Sequence, residues 1–405
     1  MELVVQKFGG SSLANPEKIK GVARRVAESC RMGRKIVVVL SAMGDTTDYL
    51  LDLTAAITPR PSPREIDMLL STGEQISVAL MSMALGEMGV DAVSYTGWQA
   101  GIHTDGVHRK ARIDSIDPKR INQDLEAGRV VVVTGFQGIN SQKEITTLGR
   151  GGSDVSAVAL AAALGATECE IYSDVDGVYT ADPRVVSQAR KLDELSYEEM
   201  LEMASLGAQV LQGRAVEHAK RYGVVIHARS TFSQDRGTLI KEVGNLQKVR
   251  EVTGVAFDAQ AAKLCLIDVP DRPGVAYQVF QALAKDNINV DMIIQSVNRK
   301  NVTDLCFTVL RDELALAKET AKRIAEEVSA KEVICEENVA KVSVIGAGMA
   351  TNPGVAATMF EALAREKINI EMISTSEIKI SCLISSAQIH QAVRAIHQAF
   401  QLGEV

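Results

Sequence analysis

Apolar and polar positions follow two alternating patterns from Met1 to about Ile240. Short runs of β-branched residues, such as Val37–Val39, alternate with longer stretches rich in alanine and leucine. The first pattern is typical of buried strands and the second of helices. The predicted elements are strands at 2–7, 35–41, 91–95, 129–134, 168–172 and 224–229, helices at 16–32, 65–88, 118–127 and 153–164, and two more helices within 194–222. This order indicates an α/β fold with a largely parallel sheet, whose ligands bind at the carboxyl ends of the strands.

The C-terminal part of the chain contains an internal repeat. Residues 273–293 return as residues 353–373 with 12 of 21 positions identical, and both copies begin with Pro-Gly-Val-Ala. Each copy has a strand, a Pro-Gly turn that opens a helix, an Ile-Asn turn and another strand; the strands are predicted at 264–269, 303–310, 341–345 and 378–384. Two copies are too few for a solenoid and favour a paired module that senses small molecules. We therefore expect domains at 1–245, 262–337 and 340–405.

A glycine-rich turn follows the first predicted strand. Lys7 precedes Gly9 and Gly10, and Ser11 comes next, shortly before a helix that begins near Asn15. Glycines allow close approach of the backbone to an anion, and the lysine, the serine and the helix N-terminus supply donors and positive potential. In a P-loop the lysine follows the glycines, so this turn predicts a phosphate site of a different fold.

A second glycine cluster, Gly149–Asp154, opens the alanine-rich helix at 153–164. Arg150 suits bidentate recognition of a carboxylate or phosphate, and Asp154 suits a lysine or metal partner. The structural alternative is a plain hairpin tip, for which Arg150 and Asp154 are unusual choices. If the sheet brings the two glycine clusters together, they form an anion clamp.

A loop rich in acidic residues follows the strand at 168–172. Its alternating acids suggest a calcium loop, but the residue twelve places after Asp174 is Val186 and not glutamate. A loop over the base and phosphates of a nucleotide fits the pattern better.

The amino-acid composition limits the classes of binding partner that we expect for this protein. The 405 residues are 46% hydrophobic and 23% charged, with a net charge of −7 and 4% aromatic residues. These values argue against nucleic acid or an anionic membrane as the main partner. We expect no signal peptide and no apolar run of about 18 residues, and hence a cytoplasmic protein. The six cysteines contain no CxxC and favour reduced thiols over disulfides or zinc, and we expect packing or surface roles for His103, His108, His390 and His397.

Six ordered motifs together resemble aspartate kinase. They are the turn at 7–12, residues 41–47, residues 71–74, residues 134–138, residues 148–154 and the loop at 172–184. The repeated unit resembles paired ACT domains, and the match spans essentially the whole chain. The sequence departs from the family pattern at Gln212, where relatives commonly carry histidine, and at Thr351 and Asn352.

The resemblance implies a fold and an activity. The fold is an amino-acid-kinase three-layer sandwich with a mainly parallel sheet, followed by two βαββαβ, ferredoxin-like ACT domains, one of which takes a strand from 251–257. The activity is transfer of the γ-phosphoryl group of ATP to the β-carboxylate of L-aspartate, the first step of lysine, threonine and methionine biosynthesis. ATP with Mg²⁺ is the implied cofactor.

The resemblance also assigns roles to individual residues. Lys7, Gly10, Ser11 and Asp154 are the catalytic group, with Asp154 orienting Lys7 or holding Mg²⁺. The residues assigned to ATP are Lys7, Phe8, Gly9, Gly10, Ser173, Asp174, Tyr179, Asp182 and Arg184. The residues assigned to aspartate are Ser41, Thr47, Glu74, Arg150, Gly151, Gly152 and Ser153. For Glu74 the structural alternative is a capping box with Ser71 at a helix start.

The ACT pair implies feedback inhibition by lysine, threonine or both. The candidate effector residues are Asp271, Gly274, Val275, Gln295, Asn369, Ile370 and Thr375. ACT units pair with one another, so we expect a homo-oligomer or an α2β2 complex with a tail-only subunit.

Three other functions remain open. An amino-acid-kinase-fold enzyme acting on glutamate or carbamate should lack the combination of Arg150 and Glu74. A non-enzymatic sensor should lack Lys7 or Asp154. A dinucleotide-dependent dehydrogenase rests on Gly346 and its neighbours, which lie inside the repeat and lack the third glycine of that motif.

Overall fold

A computed structural model of the chain describes residues 2–206, 210–242, 251–296, 301–349 and 352–404. The predicted end of the first domain, at residue 245, lies outside these residues. So does Thr351, one of the positions at which the sequence departs from the family pattern. The chain forms two compact units. The first comprises residues 1–178, 191–204 and 209–247, and the second comprises residues 179–190, 205–208 and 248–405.

The first unit is an α/β sandwich built on an eight-stranded sheet with strand order β10-β12-β11-β9-β1-β2-β6-β3. Its strands are β1 (Leu3–Phe8), β2 (Lys35–Leu40), β3 (Ala92–Tyr95), β6 (Val130–Thr134), β9 (Glu168–Ser173), β10 (Glu194–Ser196), β11 (Ile226–Ser230) and β12 (Thr238–Lys241). All neighbouring strands are parallel except β11 and β12. The central strands are buried on both faces, as their unbroken apolar runs predict.

Helices flank this sheet. They are α1 (Pro16–Arg31), α2 (Thr46–Ile57), α3 (Pro63–Glu87), α4 (Lys119–Glu126), α5 (Gly152–Leu164), α6 (Tyr197–Ser205) and α7 (Gly213–Tyr222). Asn15 caps α1, because its side-chain oxygen accepts a hydrogen bond from the backbone N–H of Lys18 at 3.0 Å. The sequence prediction of a mainly parallel α/β sheet is confirmed.

Two features of the first unit escaped the sequence analysis. Helix α2 carries apolar residues at four-residue spacing, Tyr49, Leu53 and Ile57, but these side chains are exposed and no residue of the helix is buried. A second, four-stranded sheet has the order β5-β4-β7-β8 and is formed by short strands. They are β4 (Ile102–Thr104), β5 (Ile113–Ile116), β7 (Gln137–Ile139) and β8 (Ile145–Thr147).

Helix α3 is long and apolar enough to cross a membrane by length and composition alone, although acidic residues interrupt its apolar runs. Its buried residues include Asp67 and Glu74. Both carboxyl groups accept hydrogen bonds within the first unit, so α3 is a core helix there.

The second unit contains both copies of the repeat. The first copy is β14 (Ala261–Pro270), α8 (Val275–Lys285), β15 (Ile293–Gln295), β16 (Val302–Leu310), α9 (Leu314–Val328) and β17 (Glu332–Glu336). The second is β18 (Val339–Ile345), α10 (Val355–Arg365), β19 (Met372–Thr375), β20 (Lys379–Ser385) and α11 (Ile389–Ala399), and β13 (Gly254–Asp258) completes its sheet by pairing with β18.

Reciprocal ion pairs join the two copies. Lys263 of the first copy lies 3.0 Å from Glu371 of the second, and Lys341 of the second pairs with Asp291 of the first. Asp291 and Glu371 are equivalent positions of the repeat, 80 residues apart. A small apolar cluster that includes Met292 and its equivalent Met372 lies between the copies.

Residues 179–190 pack within the second unit although they follow β9 closely in sequence. Ala181 and Val186 belong to the apolar core of the second repeat copy. The Thr180 carbonyl accepts a hydrogen bond from the N–H of Val255 at 2.8 Å, and the Thr180 hydroxyl lies 2.9 Å from Nε2 of His397. His397 is therefore a packing residue, as expected for a buried histidine.

The prediction that all six cysteines are reduced is wrong for one pair. Cys265 and Cys306 form a disulfide between β14 and β16, where they are directly opposite each other. Their separation of 41 residues hid this contact, because only the strand register brings the two side chains together. Cys30, Cys169, Cys335 and Cys382 are free.

Candidate active site

The carboxyl ends of β1 and β2 and the N-terminal end of α5 surround a cavity of about 290 Å³ in the first unit. The lining residues are Lys7, Gly10, Ser41, Ala42, Gly44, Thr47, Glu74, Phe136, Gly149, Arg150, Gly151, Gly152, Ser153, Asp154 and Gln212. The two glycine clusters therefore meet, as the anion-clamp interpretation requires.

Lys7 and Asp154, which both line this cavity, form an ion pair. Lys7 Nζ lies 2.5 Å from Asp154 Oδ1, and the two side chains are 11% and 9% exposed. Lys7 stands at the end of β1, and Asp154 lies in the first turn of α5. A Cβ atom placed on Gly9 would lie 3.6 Å from Lys7 Nζ, so the ammonium group lies beside the glycine turn.

Close backbone packing fixes the first glycine turn. The N–H of Gly9 donates to the Tyr172 carbonyl at 3.2 Å, and the Gly10 carbonyl accepts from the N–H of Gly44 at 3.0 Å. A Cβ on Gly10 would lie 2.9 Å from the Ala42 carbonyl oxygen, which explains the glycine there.

Glu74 lies on α3 and also lines the cavity. Its side chain is buried, and Oε1 accepts a hydrogen bond from the N–H of Ala42 at 3.1 Å. Oε2 has no hydrogen-bond partner in the described part of the chain. Burial raises the pKa of Glu74 to about 8. The capping-box alternative is wrong, because α3 begins at Pro63 and the Ser71 hydroxyl donates to the Met68 carbonyl.

The second glycine cluster forms the entry to α5. Gly149 and Gly151 have φ angles of 77° and 71°, which other residues rarely adopt. A Cβ on Gly151 would lie 1.8 Å from Cγ of Gln212. Arg150 is exposed between these glycines at the cavity wall.

The remaining predicted site residues lie elsewhere. The Phe8 side chain is buried and stacks on Tyr172 with 4.7 Å between ring centroids, so only its backbone is available to a ligand. Ser11 is exposed outside the cavity lining, and its carbonyl accepts from Lys18 Nζ at 2.7 Å.

The Ser173 hydroxyl accepts from the N–H of Val175 at 3.2 Å. Tyr179, Asp182 and Arg184 lie in the segment of the second unit described above, where Arg184 pairs with Asp182 at 2.7 Å.

Sequence reasoning missed a buried carboxylate that supports the site. Asp67 accepts hydrogen bonds from the Thr147 hydroxyl at 2.6 Å and from the N–H of Arg109 at 3.0 Å, and it lies 2.8 Å from His108 Nδ1. Asp67 is on α3, seven residues before Glu74, and Thr147 ends the strand that leads to Arg150. Asp67 thus ties together the two segments that carry Glu74 and Arg150. No local motif signals it.

Outside the cavity lining, Glu168, Glu170 and His227 form a cluster of possible metal ligands in the described chain. Arg229 and Arg34 lie 3.0 and 4.0 Å from Glu170 and neutralise its charge. This cluster is an ion-pair network at the opposite end of β9.

Comparison with known proteins gives the family. The amino acid kinase family model matches residues 2–229, and the ACT domain model matches residues 267–323 and 342–400. An aspartate kinase of Pseudomonas fluorescens is 53% identical over 99% of this chain and 98% of its own length. The chain belongs to the aspartate kinase family. An aspartokinase of Mycolicibacterium smegmatis is 50% identical over the whole chain and 97% of its own length.

Solved structures of the aspartate kinase family agree in fold. Escherichia coli aspartokinase III in complex with aspartate and ADP has a TM-score of 0.83 at 26% identity, covering 98% of this chain and 99% of that one. The same enzyme with lysine and aspartate has a TM-score of 0.78 at 27% identity, covering 99% of this chain and 100% of that one. The prediction of an amino-acid-kinase domain followed by two ACT domains is confirmed.

Proposed function

We propose that this chain transfers the γ-phosphoryl group of ATP to the β-carboxylate of L-aspartate, giving 4-phospho-L-aspartate and ADP. The observation that carries the proposal is the presence of Lys7, Asp154, Arg150 and Glu74 around one cavity. A monoamino dicarboxylic acid has one ammonium and two carboxylates, and this set offers a complementary group to each. The complexes of the E. coli relative with aspartate and ADP support the assignment.

Recognition of the amino acid falls to Glu74 and Arg150. The unpartnered Oε2 of Glu74 is placed to accept the α-ammonium group, and ionisation of Glu74 then accompanies binding. Arg150 pairs with the α-carboxylate, for which its planar guanidinium is suited. Ser41, Thr47 and Ser153, with Gly151 and Gly152, line the rest of the pocket.

Phosphoryl transfer falls to Lys7 and the first glycine turn. The β-carboxylate of aspartate is ionised at pH 7, since its ordinary pKa is about 3.9, so no general base is required. Catalysis then consists of positioning and charge neutralisation. Lys7 neutralises the transferring group, Gly10 and Ser11 donate to phosphate oxygens, and Asp154 orients Lys7. Gly9, whose N–H donates to the Tyr172 carbonyl, allows the close approach of the phosphates to the backbone.

The carboxylate oxygens in the cavity are also suitable ligands for Mg²⁺. This ion prefers oxygen ligands and is commonly held by one or two carboxylates together with substrate phosphates. Asp154 is the carboxylate beside Lys7 and is the residue that would hold it. Mg²⁺ bound with ATP would neutralise charge on the phosphates.

The base and phosphates of the nucleotide remain assigned to the loop after β9. Ser173 ends β9, which pairs with β1, and Asp174 follows it. The roles of Phe8, Tyr179, Asp182 and Arg184 toward ATP stay predictions, with Phe8 acting through its backbone.

Regulation is assigned to the ACT pair, with lysine, threonine or both as inhibitors. Asp271, Gly274 and Val275 lie at the turn into α8, and Asn369 and Ile370 precede β19. Gln295 and Thr375 are equivalent positions that end β15 and β19. We propose a cytoplasmic homo-oligomer formed through the ACT domains, with an α2β2 complex as the alternative.

Coupled release of ADP with Mg·ATP tests the proposal. L-aspartate should support turnover and L-glutamate should not, and lysine, threonine or both should suppress the rate. Turnover with L-glutamate at an equal rate would contradict the assigned substrate. Binding of lysine or threonine without any turnover would indicate a sensor instead of an enzyme.

A further inference from the structure

Gln212 has a neutral amide side chain and lies in the cavity wall. The reaction proposed above assigns it no role. It lies immediately before α7 and lines the cavity together with Arg150. Its side chain makes no hydrogen bond to another residue of the described chain. A donor and acceptor group therefore faces a substrate cavity with its hydrogen-bonding capacity unused.

The position of Gln212 is fixed on both sides. Its methylene groups cover Gly151, where a Cβ would lie 1.8 Å from Cγ and 2.5 Å from Cδ of Gln212. Two residues later, Arg214 donates to the carbonyl of Leu148 at 2.8 Å and to that of Ala111 at 3.2 Å. The start of α7 is thereby tied to the loop that carries Arg150.

The charged residues of the cavity do not supply all the hydrogen bonds that the α-carboxylate of the substrate can accept. Lys7 and Asp154 pair with each other, and Glu74 is matched to an ammonium group. Arg150 alone remains for the α-carboxylate. A bidentate guanidinium uses two N–H groups, so about two of the four acceptor sites of the carboxylate are left for other donors. Gln212 contacts the residue next to Arg150 and offers two N–H groups there.

We propose that Gln212 is a specificity-determining residue whose amide N–H groups donate to the α-carboxylate of the amino-acid substrate beside Arg150. This proposal rests on the proposed function and refines its substrate site. By holding the α-carboxylate, the amide fixes one end of the substrate. L-glutamate has one methylene more, so its reacting carboxylate then lies at a different position relative to Lys7.

Two substitutions separate the amide from the packing. Gln212→Met keeps an unbranched side chain over Gly151 and removes the amide. Gln212→Glu keeps the shape and replaces the donor by a negative charge. Gln123→Glu, on the exposed face of α4, is the control for an added charge. Steady-state kinetics with aspartate and ATP, and calorimetric binding of aspartate, are measured for all four proteins, with melting temperatures as a check of folding.

We expect Gln212→Met to raise the KM and the Kd for aspartate roughly 10-fold, as for loss of a hydrogen bond to a charged group. Gln212→Glu should raise both by roughly 100-fold, while Gln123→Glu changes neither. The KM for ATP should stay constant, and kcat should change less than about twofold. The ratio of aspartate to glutamate turnover should fall in Gln212→Met.

Other outcomes overturn the proposal in distinguishable ways. Wild-type affinity for aspartate in Gln212→Met would show that the amide makes no contact with the substrate. A fall in melting temperature with equal losses for aspartate and ATP would show that Gln212 only packs the loop. Absence of aspartate turnover and binding in the wild-type protein would refute the proposed function itself, and with it this refinement.

Discussion

Glu74 and Ala42 are joined by a hydrogen bond that satisfies only half of the Glu74 carboxyl group. Oε1 accepts from the N–H of Ala42 at 3.1 Å, whereas Oε2 has no hydrogen-bond partner among the described residues. Burial of this group raises its pKa to about 8, so Glu74 is mostly protonated at pH 7 in the ligand-free protein.

The first prediction is that aspartate binding at pH 7 releases close to one proton. An ammonium group beside Glu74 stabilises its ionised form and lowers its pKa. Calorimetric titrations in two buffers with different ionisation enthalpies should give different apparent binding enthalpies. Glu74→Gln is the control and should bind aspartate weakly with no proton release. Identical enthalpies in both buffers for the wild-type protein would show that Glu74 does not receive the ammonium group.

The second prediction concerns stability against pH. The folded-state pKa of Glu74, about 8, lies above its ordinary value of 4.5. Between these values the folded protein holds a proton that the unfolded chain has lost, so the free energy of unfolding falls as pH rises. The slope is at most about 1.4 kcal/mol per pH unit from this group, and the effect ends above pH 8. Urea denaturation at several pH values should show a flatter profile for Glu74→Gln than for the wild-type protein.

The third prediction separates chemistry from folding at Lys7. Lys7→Ala should lower kcat by at least about 10²-fold, since it removes a charge from the transferring group. It also leaves Asp154 buried without its partner, which costs about 3–5 kcal/mol of stability. The double variant Lys7→Ala/Asp154→Ala should recover much of this stability and none of the activity. Near-normal turnover in folded Lys7→Ala would contradict the assigned role.

The fourth prediction compares two glycines with the same backbone conformation. Gly151 and Gly165 have φ angles of 71° and 63°, but a Cβ on Gly165 would meet no atom within 4 Å. Gly165→Ala should therefore show only backbone strain of about 1 kcal/mol and normal kinetics. Gly151→Ala should in addition displace Gln212 and raise the KM for aspartate. Equal kinetics in the two variants would show that the contact between Gly151 and Gln212 does not shape the pocket.

The fifth prediction concerns the effector site. Gln295→Ala should raise the inhibitor concentration for half-maximal inhibition and leave turnover without inhibitor unchanged. Gln281→Ala, on the exposed face of α8, serves as the control in the same domain. An unchanged inhibition curve would remove Gln295 from the effector site.

The sequence alone was sufficient to predict those features of the fold and the site whose determining contacts are local or periodic. Strand β2 and helix α1 follow from the apolar spacing of residues such as Val37 and Val22, and the repeat predicts two similar domains. Lys7 and Arg150 were found because glycine-rich turns at strand ends carry a local signal.

The contacts that escaped prediction are between distant positions. Asp67 gains its role only when α3 packs against Thr147, 80 residues away. Cys265 meets Cys306 only through the register of β14 and β16. The second sheet rests on strands as short as three residues, such as Gln137–Ile139, in which alternation is too brief to detect.

Residues 179–190 set a limit on how the chain can be divided. A polypeptide that begins at residue 251 would contain both ACT copies but would lack Thr180, Ala181 and Val186. The apolar surface that Ala181 and Val186 cover would meet water, and His397 would lose its hydrogen-bond partner. In such a shortened chain, this surface would be open to residues 179–190 of a full-length partner, a contact between two chains in place of one that the intact chain makes within itself.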